Sequence, residues 1–167
     1  MQTSFALDGR TALVTGASRG LGMAIAEGLA GAGADIIGVS ANQPASGSEI
    51  QGRVEGAGRR FSGRACDFAD RQQTRELVDW LDDQGHQVDI LINNAGIIRR
   101  APVVGHSDAD WDAVLEVNLT APFVLTRELA GRRSGMDRHK AGRQGHIGQT
   151  VVKPLHRVLV FETAFLM

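Results

Sequence analysis

The sequence contains no tyrosine, and six Phe and two Trp are its only aromatic residues in 167 positions. Chemistry that needs a phenol as general acid or base has none to use within these residues. The single cysteine, Cys66, excludes an intrachain disulfide and reads as a small buried apolar residue rather than a nucleophile. An excess of either charge is missing as well. Eighteen Lys and Arg face 19 Asp and Glu, a net charge of −1, which argues against a nucleic-acid surface. No apolar run approaches the roughly 20 residues of a membrane span. The opening Met1-Gln2-Thr3-Ser4-Phe5 shows no basic stretch followed by an apolar one. His139, His146 and His156 lack the tight helical spacing of a metal pair, so no metal is expected. The expectation is one compact cytoplasmic unit whose partners are small molecules or protein chains, with neither nucleic acid nor membrane.

Glycine, in contrast, is abundant, with 21 residues, and its placement is informative. Thr11-Ala12-Leu13-Val14-Thr15-Gly16-Ala17-Ser18-Arg19-Gly20-Leu21-Gly22 begins as a buried strand, breaks into glycines and continues at helical spacing through Leu21, Ile25 and Leu29. Glycines at a strand-to-helix turn let the main chain approach a ligand and leave helix N–H groups free to meet phosphates. A second strand at 35–39 completes a β-α-β unit. In dinucleotide sites the end of that strand discriminates between a ribose hydroxyl, held by an acid, and a 2′-phosphate, held by arginine. Here that end is Ser40-Ala41-Asn42, neither acid nor arginine, while Asp35 at the opposite end reads as a solvated turn residue.

Further strands are expected at 60–65 and 89–93, with a short peripheral helix carrying Ile50 and Val54 and a longer one carrying Thr74, Leu77, Val78 and Leu81. Asp67, at the end of the third strand, reads on its residues as a helix cap starting the next segment. From Ser107, a hydroxyl cap followed by acids, a helix places Trp111, Val114, Leu115, Asn118, Pro122, Leu125 and Leu129 on one stripe. Asn118 is the only amide on that apolar stripe, and Pro122 has no N–H for the Asn118 carbonyl. The expectation is a kinked helix with that carbonyl free.

The Gly-x-x-x-Gly-x-Gly spacing after Thr15, together with Asn93-Asn94-Ala95-Gly96, resembles the short-chain dehydrogenase/reductase family, and Gly-Ile-Ile-Arg-Arg-Ala-Pro at 96–102 is similar to its gluconate-type members. The resemblance implies an α/β Rossmann-type doubly wound parallel sheet in three layers, with strand order 3-2-1-4. It implies cofactor contacts from Thr15, Gly16, Ser18, Arg19, Gly20, Leu21, Gly22, Ser40, Asp67, Phe68, Asn93, Asn94, Ala95 and Gly96. It also implies a catalytic role for Asn118, holding a water of a proton relay, against the plainer reading of a capped amide at a helix bend. The cofactor implied is NAD, with NADP not excluded. Arg99 and Arg100 are either a solvated pair or a fork for the carboxylate of a sugar-acid substrate.

The resemblance covers residues 5–130. The dehydrogenase family also needs a serine and a Tyr-x-x-x-Lys pair, and without tyrosine that pair is absent, leaving Lys140, Lys153, Ser134 and Thr150 without a carried-over role. The expected organisation is an incomplete dinucleotide-binding domain over 1–130, ending after the fourth strand and its helix, and an unlike tail over 131–167. A reading-frame shift or early end after Leu129 would account for that tail. Two functions follow from this: an oxidoreductase transferring hydride between nicotinamide and a hydroxyl or keto carbon, or an inactive dinucleotide-binding or interaction fragment. With the fourth strand's outer edge open, self-association is expected, unless 151–152 or 158–161 covers it.

Overall fold

In the computed structural model, residues 6–133 and the strand 159–162 are described. Strands β1 (Thr11–Thr15), β2 (Asp35–Ser40) and β4 (Ile90–Asn93) are buried almost throughout, as strands of a parallel sheet covered on both faces must be. Strand β3 (Phe61–Ala65) is only half-buried. Alternate residues feed two apolar clusters. Ala12, Val14, Ile36, Ile90 and Ile92 pack with Ala26 and Ala30 of α1 (Gly20–Gly31) and with Ile50 and Val54 of α2 (Glu49–Gly56). On the opposite face, Leu13, Ile37, Val39 and Leu91 pack with Leu77, Val78 and Leu81 of α3 (Arg71–Asp83) and with Leu125 and Leu129 of α5 (Ala121–Arg133). The result is the expected three-layer, doubly wound arrangement. No helix among the described residues is long and apolar enough to cross a membrane.

The strand order is β3-β2-β1-β4-β5, all parallel. The sequence reading ends the family-like sheet at β4 and offers 151–152 or 158–161 as segments able to cover its edge; the structure places a strand overlapping the second there. Strand β5 (Leu159–Glu162) lies along the outer edge of β4, pairing Ile90 with Leu159 through Asn93 with Glu162. Open N–H and C=O groups on β4 favour pairing with a β-prone segment, so this edge is covered. Ser134, Lys140, Thr150, Lys153, His139, His146, His156 and the pair 151–152 lie outside the described residues.

Two local expectations also change. Asp35 is not a solvated turn residue: it is buried and accepts from the Arg60 backbone N–H at 3.0 Å and from the Arg60 guanidinium at 2.9 and 2.7 Å. Arg59 adds a second cation at 3.3 Å. The helix from Ser107 is divided into α4 (Asp108–Leu115), a π-helical turn (Glu116–Thr120) and α5. Pro122, which has no N–H to give the preceding turn, lies inside this continuous helix, directly after the widened π turn. That extra residue rotates the stripe. Val117, Ala121, Val124, Leu125 and Leu129 face the core, while Trp111, Leu115, Leu119 and Phe123 face solvent.

Candidate functional site

The chain runs β1 to β2 to β3 on one side of the sheet and then returns to place β4 on the other side of β1. The crevice beyond the carboxyl ends of β1 and β4 is therefore a topological switch point, where doubly wound sheets bind ligands. The loop Thr15–Gly20 and the segment Asn93–Gly96 meet there.

Their junction is built by Thr15 and Asn94. The buried Thr15 hydroxyl donates to the Ile92 carbonyl at 3.2 Å and accepts from the N–H groups of Asn94 at 3.0 Å and Ala95 at 2.9 Å. The Asn94 side-chain amide donates back to the Thr15 carbonyl at 2.9 Å and, more weakly, to that of Gly16 at 3.4 Å. This amide fills the space that side chains at Gly16 and Gly22 would need: a Cβ at Gly22 would overlap the Gly16 carbonyl oxygen and Asn94 Nδ2. Gly22 is thus required by close approach. Gly20 is different. It has a φ of 57°, and nothing lies within 4 Å of the point a Cβ would occupy, so the loop is open on that side.

Helix α1 rises directly from this loop without a side-chain cap. Arg19 occupies the cap position in extended conformation, and no acid lies in the first turn. Three other helices behave differently. Ser48 caps α2, Asp70 caps α3 and Ser107 caps α4, each accepting backbone N–H bonds. The first N–H groups of α1 are left for an external acceptor, which suits an anion. Ser18, Arg19, Gly20 and Leu21 are exposed along this opening.

At the end of β2, Ser40 is buried, and its hydroxyl lies 3.5 Å from Oε1 of Gln43, itself buried. Gln43 is a member of this wall that sequence reasoning missed, since nothing in the loop's composition marks it. Asp67 is exposed; its carboxylate accepts from the Ala69 N–H at 3.0 Å, while its own N–H donates to Gln73. Asp70, not Asp67, caps α3, so the helix-cap reading of Asp67 does not hold. Phe68 does not line the opening with its ring, which is buried in the apolar cluster beneath. Cys66 next to it is buried, and that burial, followed by the neighbouring Asp67 charge, pushes its thiol up to about 12. It is no thiolate at neutral pH.

Asn93 is buried at the end of β4, with its amide 3.4 Å from the Thr126 hydroxyl. Asn118 closes the site from the π turn. Its amide donates to the Ile97 carbonyl and its carbonyl accepts the Ile97 N–H, both at 2.9 Å. The amide is thus spent on a two-point clasp of the wall loop, beside Gly96, rather than on the core. Arg99 lies 3.5 Å from Asp110, and its carbonyl accepts from His106 Nε2 at 3.0 Å, so it belongs to the brace of the loop before α4. Arg100 is exposed. Among the described residues, no group of three or more His, Cys, Asp or Glu side chains could hold a metal ion.

Comparison with known proteins agrees with this architecture. The family described as short chain dehydrogenase matches residues 10–149. The chain is 47% identical over 139 residues to 2-dehydro-3-deoxy-D-gluconate 5-dehydrogenase of Pseudoalteromonas atlantica, covering 81% of this chain and 55% of that one. A solved structure assigned as 2-deoxy-D-gluconate 3-dehydrogenase, from Agrobacterium tumefaciens with bound NADP, superposes with a TM-score of 0.69 at 43% identity, covering 81% of this chain and 52% of that one. A short chain dehydrogenase from Burkholderia cenocepacia in complex with NADP gives a TM-score of 0.65 at 38% identity, covering 74% and 51%. The chain spans about half the length of these relatives. With its fold, its glycine loop and the Asn93–Gly96 wall all in place, the chain belongs to the short-chain dehydrogenase family.

Proposed function

We propose that this chain binds a nicotinamide dinucleotide at the switch point and is the cofactor-holding half of a sugar-acid oxidoreductase. The observation that carries this reading is the uncapped N-terminus of α1 beneath the glycine loop, locked in place by Thr15 and Asn94. Its free N–H groups suit the diphosphate, Asp67 the adenine side, and Asn93, Asn94, Ala95 and Gly96 the wall. When bound, the nicotinamide supplies the hydride chemistry, and the residues of this chain hold and orient it. Asn118 acts here through its clasp on Ile97.

The cofactor preference is revised. The gluconate-type resemblance implies NAD, but β2 ends in Ser40 without an acid and Arg19 is exposed beside the loop. Bound NADP in two similar structures supports the same side. NADP(H) is therefore the preferred ligand, with Arg19 and Ser40 facing its extra phosphate. For a substrate carboxylate, Arg100 is better suited than Arg99, which is already paired with Asp110.

Because these 167 residues hold no tyrosine, the chain binds cofactor without turning substrate over. Fluorescence titration with NADPH and NADH, and a turnover assay with a keto sugar acid, test this. NADPH is expected to bind more tightly by about tenfold, equivalent to about 1.4 kcal/mol, with no turnover. Binding of neither cofactor would sink the reading; clear turnover would sink its inactive half.

A further inference from the structure

The ion pair between Arg71 and Glu116 connects two parts of the site that are distant in sequence. Arg71 is the first residue of α3, just beyond the Asp67–Asp70 turn, and Glu116 opens the π turn. Their contact is a two-point fork, Nε to Oε1 at 3.0 Å and Nη2 to Oε2 at 2.5 Å. Between Glu116 and Asn118 lies Val117, buried in the same apolar cluster as Phe68, against which Ala95 and Ile97 also pack. The π turn therefore grips the start of α3, immediately after the loop that follows β3, with one flank, through Glu116, and the loop after β4 with the other, through the Asn118 clasp on Ile97.

We propose that Arg71 and Glu116 are positioning residues that set the separation between the adenine-side loop at Asp67 and the wall at 94–97. This rests on the dinucleotide reading above. A ligand spanning both loops then senses the pair, while one that touches only the adenine side does not. The charges themselves are partly exposed, so the effect is geometric and modest.

Two measurements on the full chain test it, using Arg71→Ala, Glu116→Gln and the exchanged pair Arg71→Glu/Glu116→Arg. In the ligand-free chain, hydrogen exchange of the Ile97 amide reports the clasp directly. It is expected to quicken about fivefold in each single variant and to return towards wild type in the exchanged pair. Affinity for NADPH should fall about fivefold in the single variants, while affinity for 2′,5′-ADP, the adenosine half alone, stays level. Arg53→Ala, which breaks pairs to Glu27 and Glu49 far from these loops, should alter neither. Unchanged Ile97 exchange in the single variants overturns the proposal, as do equal losses for both ligands or an exchanged pair that restores nothing. If the wild-type chain binds neither ligand, the dinucleotide reading fails, and quickened Ile97 exchange alone still supports the mechanical link.

Discussion

Gly20 and Gly22 sit two positions apart and answer to different constraints. A methyl group at Gly22 has no room against Gly16 and Asn94, so Gly22→Ala should cost about 1–3 kcal/mol by overpacking and disorder the loop. At Gly20 the space is open and only the left-handed backbone resists, so Gly20→Ala should cost about 1–2 kcal/mol and preserve the fold while weakening NADPH binding. Urea unfolding alongside cofactor titration separates the two. Thr15→Val is a third test: the shape is kept, but the N–H groups of Asn94 and Ala95 lose their acceptor. A loss of about 1–3 kcal/mol is expected from unfolding measurements, with weaker cofactor binding following from the loosened wall.

Among the secondary-structure elements, β2 is anchored at one end by charge and open at the other for binding. Burial of Asp35 opposes ionisation, but hydrogen bonds and charge from Arg60, joined by Arg59, outweigh it and hold the carboxyl below its ordinary value. A lowered folded-state value means that the stabilisation is present above the unfolded-state value of about 4 and is lost as pH falls through the folded one. Asp35→Asn is therefore expected to lower stability at pH 7 by about 1–3 kcal/mol, and the gap to wild type should close as pH is taken from 5 towards 2. Chemical denaturation at several pH values checks both the sign and the window. A gap that widens on acidification would refute this account.

For the molecule as a whole, the covered edge of β4 removes one reason to expect self-association, and the rotated stripe supplies another. Trp111, Leu115, Leu119 and Phe123 form an exposed apolar line along α4, the π turn and α5, with Leu119 63% and Phe123 59% exposed. Contiguous apolar surface of this kind favours association with another chain. Sedimentation should show mass rising with concentration, and Leu119→Asp with Phe123→Asp should shift the chain towards monomer without altering cofactor binding. A wild-type chain that sediments as a monomer at all concentrations would refute the expectation.

Local chemistry made much of this legible before any coordinates. Strand cores such as Ala12–Val14 and Ile90–Ile92 are apolar runs too short for anything but strands. The glycines announce a turn that needs unusual backbone or close approach, and Ser107 with its acids announces a helix start. Such signals depend on neighbours in sequence, so order along the chain is enough to read them. The partners of Asp35, Asn118 and Glu116 are 25, 21 and 45 positions away, and no local pattern encodes them. Whether the stripe through Trp111 faced core or solvent depended on one extra residue in a π turn, a choice made by packing against α3 and the sheet. The edge of β4 was likewise settled by which distant segment could supply a matching backbone ladder. Periodicity and turn chemistry are properties of adjacent residues; register, pairing and burial exist only once the layers have closed on one another.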